Sequence, residues 1–288
     1  MILVTGATGH LGSSVVAQLL KLGAKAHFIA TSSTLTGVQQ LEAQGLQARQ
    51  ADFSNAPSLS NAFEGIKKLL LISTMDPKRF EQHKNVIDAA KLQGVEHIIY
   101  TSLAIKDIQT SGVKDLMISH FQTEDYLKAS GMNYTILRNS MYADSFIQIL
   151  GPHALKNNIM LPGGEGKVPY ALRSEMGEAT ANLLLQEGHE NKVYNITGST
   201  CVGYTEVAAV LSAVSGHDIA YVDIAEDAFK NNLGSMGFPE FLIYLHAGTI
   251  YDIKHGQYEV ESDMLEKLLG RKPAGIDEYL PQLFTVKG

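Results

Sequence analysis

Three glycines at GxxGxxG spacing, Gly6, Gly9 and Gly12, stand between an aliphatic run at 2–4 and a stretch in which Leu11, Val15, Val16, Leu19 and Leu20 recur at helical spacing. The chemistry such a junction can do is to hold a pyrophosphate. One glycine permits a tight turn off the strand, a second lets backbone approach the phosphates, and a third lets the helix pack closely. The helix N-terminus then offers free N–H groups and a partial positive charge. A glycine turn that only joins strand to helix stays open on spacing alone. A second polar group, Thr31, Ser32 and Ser33, lies about 20 residues after the glycines, where dinucleotide folds discriminate their cofactor. An acid there would bond both ribose hydroxyls of NAD and repel the 2'-phosphate of NADP. None is present, which favours NADP(H) over NAD(H). The three hydroxyls can bond a phosphate, or can cap a helix predicted to begin near Thr34.

These residues need a frame. From residue 1 to about 138, short aliphatic runs at 2–4, 26–30, 46–51, 69–72, 98–101 and 134–137 alternate with helical periodicity near 34–44, 56–64, 79–93 and 115–130. Continuous apolar strands mean that both faces are buried, so the expected architecture is α/β, a Rossmann-type doubly wound parallel sheet. After 138 the rhythm loosens. A glycine-rich turn at 163–166, helices near 174–187 and 204–215, strands at 193–196 and 219–222, and a mostly helical last 60 residues broken at 237–239 and 272–273 predict a smaller α+β lobe. The expected division is a dinucleotide-binding domain over 1–150 and this lobe over 151–288, with later segments able to return to the main sheet.

The segment TGATGHLG at 5–12 resembles the dinucleotide loop of atypical and extended short-chain dehydrogenase/reductases, above all the NmrA-like group, which includes triphenylmethane reductase and NADPH-dependent quinone oxidoreductases. ADF at 51–53, HIIYTS at 97–102, YTILRN at 134–139 and EGHENKVYN at 187–195 resemble the same group, so the likeness covers residues 1 to about 215. It implies that Gly6, Thr8, Gly9, His10, Leu11 and Gly12 form the cofactor loop. It further implies that Asp52 and Phe53 lie by the adenine, and that Ser73, Thr74, Thr101 and Ser102 line the cofactor beyond Thr31 and Ser32. NADPH-using relatives carry an arginine where this chain has Thr31. Asp52 can equally belong to a helix N-cap, a task open to Ser54 or Asn55 as well.

Typical short-chain reductases use a tyrosine and a lysine four residues later, and extended members carry a glutamate four residues after the lysine. Anchored on Glu124, the lysine position is His120 and the tyrosine position Leu116, so the pair is absent. His120, with an unperturbed pKa of about 6.5, is the candidate catalytic proton or hydrogen-bond donor; a packing role is the alternative. Asn139, Met141, Tyr142 and Phe146 after the sixth strand, with Met75 and Leu103 after the fourth and fifth, form an apolar, aromatic set suited to a flat substrate, or else ordinary core between lobes. Arg173 and Glu175 read as surface or lobe contacts.

Composition closes off other classes. The 288 residues carry 23 Lys+Arg against 30 Asp+Glu, a net charge of -7, with no basic cluster, which argues against nucleic-acid binding. The lone Cys201 has no disulfide partner, and the ten histidines show no HxxH or HExxH pairing, so neither a zinc site nor any other metal is expected. No apolar run approaches the roughly 20 residues a membrane span needs, and no signal peptide is visible; a cytoplasmic protein, monomer or homodimer, is expected. The expected function is an NAD(P)H-dependent oxidoreductase acting on a planar electron-poor acceptor, a quinone, azo compound or cationic dye. The alternative is a non-catalytic NAD(P)-binding redox sensor.

Overall fold

A computed structural model describes residues 1–151 and 153–285. Six strands alternate with five helices along the first part of the chain: β1 (Ile2–Val4), α1 (His10–Lys21), β2 (Phe28–Ser32), α2 (Leu35–Ala43), β3 (Ala48–Gln50), α3 (Ala56–Phe63), β4 (Lys68–Leu71), α4 (Arg79–Leu92), β5 (His97–Leu103), α5 (Lys114–Ala129) and β6 (Asn133–Asn139). There follow α6 (Phe146–Leu150), β7 (Ile159–Leu161), α7 (Arg173–Leu184), β8 (Lys192–Ile196), α8 (Tyr204–Ser215), β9 (Tyr221–Asp223), α9 (Glu226–Ser235), α10 (Glu240–Lys254), α11 (Met264–Leu269) and α12 (Ile276–Thr285). The main sheet has the order β3-β2-β1-β4-β5-β6-β8, and every pairing in it is parallel. This is the doubly wound arrangement the aliphatic runs predict.

Successive strand residues alternate between its two faces, which is why the runs are continuous in apolar character. Val4, Ala30, Leu70, Ile99 and Leu137 join α1, α7 and α11 in one core. Leu3, Ile29, Leu69, Ile98 and Ile136 join α3, α4 and α5 in the other. Helix α7 lies hard against α1: a Cβ on Gly177 would stand 2.4 Å from Ser14 Cβ, so nothing larger than glycine fits without movement. Glu175, at the start of α7, is buried and pairs with Arg271, a contact within this packing. A third core, around Phe146, Tyr170, Tyr204, Leu211 and Ile253, also takes in Ile159 and Leu161 of β7 and, at its edge, Tyr221 of β9.

Two differences from the sequence reading matter. The second strand runs to Ser32 instead of stopping at 30, because residues 25–27 form a 3-10 turn and shift it along the chain. Strand β7 has no counterpart among the runs the sequence predicts. Three residues are too few to show a period, and it exists through its pairing with β9. Among the described residues no helix is long and apolar enough to cross a membrane.

Candidate active site

The strand order reverses between β1 and β4, and in open α/β sheets ligands bind in the crevice at such a point, beyond the carboxyl ends of the strands. The glycine loop lies there. Gly6 adopts φ +58°, a conformation that glycine takes without strain. A Cβ on Gly12 would fall 2.1 Å from the Gly6 carbonyl oxygen, so Gly12 lets α1 begin against the loop itself. Gly9 is exposed and is the N-cap of α1; no side chain caps the helix, and its first turn has no acid. Those N–H groups and the dipole are left for an anion. Thr8 and His10 are exposed on the same loop, whereas Leu11 is buried in the core and can offer only backbone. Thr5, which the sequence reading passed over, locks the crevice: its hydroxyl donates to the Leu70 carbonyl at 2.9 Å and accepts from the Ile72 N–H at 2.9 Å. The residues present fit a dinucleotide pyrophosphate.

The end of β2 corrects one expectation. Because the strand reaches Ser32, Thr31 points inward: it is 1% exposed, and its hydroxyl donates to the Val4 carbonyl at 3.2 Å. Thr31 therefore cannot offer its side chain to a 2'-phosphate. Ser32 is also buried and accepts from the Thr34 N–H, while Thr34 caps α2 by accepting from the Gly37 N–H at 3.1 Å. Ser33 is the exposed hydroxyl of the three. After β3, Asp52 Oδ1 accepts from the Ser54 N–H at 2.9 Å, and Asn55 takes the N-cap of α3. Phe53 is half-buried, edge-on to His83.

Beyond β4 and β5, Thr101 Oγ1 accepts from the Ser73 N–H at 2.9 Å, joining the two strand ends, and Thr74 donates to Gln82 Oε1. Ser102 is committed elsewhere: it donates at 2.7 Å to Glu124 Oε1, a carboxylate 1% exposed, which also receives both Nε and Nη2 of Arg138 at 2.8 and 2.6 Å. The expectation that Ser102 contacts cofactor gives way to this structural network. Burial alone would raise the Glu124 pKa, but the bonds from Arg138 and Ser102 leave it below its ordinary value.

His120 is likewise corrected. It is buried, with Nδ1 2.9 Å from the Tyr100 hydroxyl, and burial, then the charge of Arg79, holds its pKa well below the usual 6.5. It is neutral at physiological pH and is not an accessible acid. Leu116, one turn before it, is buried too.

On the acceptor side, Asn139 is 3% exposed; its Nδ2 donates to the Tyr142 hydroxyl at 3.3 Å, and its Oδ1 has no partner. Tyr142 lies under the Arg173 guanidinium, 4.5 Å from the ring centre. Met75 is exposed, while Leu103 and Met141 are half-buried against the third core. Phe146 is fully buried, 4.5 Å centre to centre from Tyr170, and so is core instead of a substrate contact. Directly after it, Ile147 to Gly151 border a cavity of about 840 Å³ that Leu161, Phe229, Met236, Phe238 and His246 also line.

Several reductases resemble this chain over most of its length. Quinone oxidoreductase 2 of Escherichia coli is 36% identical over 288 residues, 99% of each chain, and its crystal structure in complex with NADPH superposes with a TM-score of 0.91. Triphenylmethane reductase of Citrobacter sp., solved with NADP(H), is 32% identical over 99% of both chains with a TM-score of 0.89. The NAD(P)H azoreductase of Xenophilus azovorans is 29% identical over 84% of this chain and 83% of its own. The model of the NmrA-like family matches residues 1–280, and with these full-length likenesses it establishes that the chain belongs to the NmrA-like family.

Proposed function

We propose that this chain is an NADPH-dependent reductase that passes hydride to a planar, electron-poor acceptor such as a quinone, an azo compound or a cationic dye. The observation that carries the reading is the N-terminus of α1, uncapped and free of acids under an open glycine loop at the β1/β4 reversal. Its support is the full-length similarity to quinone oxidoreductase 2. Gly6 to Gly12 would hold the pyrophosphate, with Ser73, Thr74 and Thr101 beside it and Asp52 and Phe53 toward the adenine. Ser33, neutral and exposed, replaces Thr31 as the side chain able to meet a 2'-phosphate. When bound, the dinucleotide supplies the hydride. Asn139 orients a quinone or azo acceptor through the second hydrogen of its Nδ2, the first being donated to the Tyr142 hydroxyl. Met75, Leu103, Met141 and Tyr142 supply an apolar wall for a flat ring.

No tyrosine–lysine pair serves this reaction: the positions hold Leu116 and a neutral His120. Neither a quinone nor a carbocation needs an enzyme-held proton in the hydride step, so orientation and exclusion of water carry the rate. Steady-state NADPH oxidation with 1,4-benzoquinone and with crystal violet tests the proposal. Asn139→Ala should lower kcat/KM by about tenfold, with NADPH affinity unchanged, for loss of one oriented contact. Tight NADPH binding without turnover of any acceptor would move the chain to the redox-sensor reading.

A further inference from the structure

Arg79, the first residue of α4, is 1% exposed, yet among the described residues no carboxylate pairs with it. Its Nε donates to the Thr74 carbonyl, and its Nη1 donates to the Leu116 carbonyl at 3.0 Å and to Ser119 Oγ at 2.8 Å. Its Nη2 reaches only the sulfur of Met75, at 3.4 Å. Asp76 lies near enough to favour the charged guanidinium, but its carboxylate accepts from the Lys78 N–H at 2.7 Å and from Gln82 Nε2 at 3.0 Å. Burial lowers the Arg79 pKa from its usual value, but a guanidinium keeps its proton inside proteins. His83 and His120 are held neutral beside it, by burial first and then by its charge.

A buried positive charge with no direct carboxylate contact thus lies beneath the loop at 73–76, its nearest counter-charge being the more solvent-facing Asp76. Burying an unpaired cation is costly, and a neutral amide could make loop-to-helix hydrogen bonds of the same kind. What a neutral side chain could not supply is the field. Met75, the side chain against Nη2, is 62% exposed at the carboxyl end of β4, on the wall assigned above to the acceptor.

We propose that Arg79 is a specificity-determining residue, whose buried guanidinium, less screened by water than the Asp76 carboxylate, favours acceptors that become anionic on taking up hydride and disfavours acceptors that arrive as cations. The inference rests on the reductase reading given above. A neutral quinone that accepts a hydride, one hydrogen with two electrons, becomes a hydroquinone monoanion while the dihydronicotinamide is oxidised to its pyridinium form; the monoanion then takes a proton from water. The cation's field stabilises the negative charge as it develops, which acts on kcat. A triarylmethane dye carries its positive charge into the site and loses it in the reaction, so the same field opposes binding and acts on KM.

Arg79→Met and Arg79→Lys, each with 1,4-benzoquinone and with crystal violet, separate the two effects. In Arg79→Met, kcat for the quinone should fall about tenfold and KM for the dye should fall severalfold, as loss of one low-dielectric charge interaction implies. Arg79→Lys should restore the native ratio. Calorimetric titration with 2-naphthoate and with crystal violet should shift in opposite directions in the Met variant, and all rates are compared at saturating NADPH because Arg79 also holds the Thr74 carbonyl beside the cofactor. If Arg79→Met does not fold, Ser119→Asp places a carboxylate against Nη1 and should move the acceptor ratio in the same direction. Equal losses for both acceptors in a folded variant, or a lysine that fails to restore the ratio, would overturn the proposal and leave Arg79 as a loop clamp. If the native protein reduces neither acceptor, the reductase reading itself fails, and this inference with it.

Discussion

The crevice beyond β1 and β4 and the layer between β5 and α5 are both rich in polar side chains, but they use them in opposite ways. At the crevice, hydrogen-bonding capacity is left over: α1 begins without a side-chain cap, Ser33 is exposed, and Asn139 Oδ1 has no partner. Behind β5 it is mostly consumed internally, Ser102 and Arg138 on Glu124, Tyr100 with His120, and Thr123 with His83 Nδ1, with His83 Nε2 the exception among these side chains. Titratable types therefore do not mark the site. Unspent donors and acceptors at an accessible edge do, because buried polar groups are otherwise satisfied by their neighbours.

The comparison can be broken most forcefully behind β5. Glu124→Ala leaves the buried part of Arg138 without its partner and should cost about 3–5 kcal/mol of stability, with cofactor affinity per folded molecule unchanged. Denaturant melts checked against NADPH titration measure both quantities. The sign with pH follows from the depressed Glu124 pKa: its contribution is complete above the ordinary value of 4.5 and is lost as pH falls through the folded-state value. The variant's stability should accordingly depend less on pH in the acid range than the native protein's.

At the crevice the opposite pattern is expected. Gly9→Glu puts a charge where the pyrophosphate would lie and should weaken NADPH binding at least a hundredfold, about 2.7 kcal/mol, while the melting temperature stays near native. A large loss of stability would mean that the loop is built for folding instead of for a ligand.

A finer contrast lies within two residues. Ser33→Arg should raise the preference for NADPH over NADH by about tenfold and make it salt-sensitive, since the side chain is exposed and a guanidinium bonds phosphate strongly. Thr31→Arg should mainly destabilise, because it forces a cation into the sheet against the Val4 carbonyl. Equal gains at both positions in calorimetry would show that the inward orientation of Thr31 is wrong. The smallest effect on the reaction is expected at His120. His120→Phe removes one buried hydrogen bond to Tyr100, about 1–3 kcal/mol of stability, and should change the single-turnover hydride rate less than twofold. A large rate loss at unchanged stability would return His120 to the reaction.

What could be read from the sequence is what local spacing dictates. The aliphatic runs at 69–72 and 98–101 specify strands buried on both sides whatever lies around them, and Gly6, Gly9 and Gly12 specify a strand–turn–helix junction able to approach a pyrophosphate, because turn geometry and helical period are set within a few residues. The likeness of the segment at 5–12 to a known dinucleotide loop added the family. Orientation and environment were beyond its reach. Whether Thr31 faces ligand or sheet turns on where β2 starts and stops, since one residue along a strand changes the face. His120 could not be known as neutral, nor Ser102 as a partner of Glu124, until β5 and α5 were packed together, because a pKa is set by burial and by charges distant in sequence. Arg79 looks in the sequence like any arginine opening a solvent-facing helix. Only the packing of α4 against α5 removes it from water and leaves it without a direct carboxylate contact among the described residues.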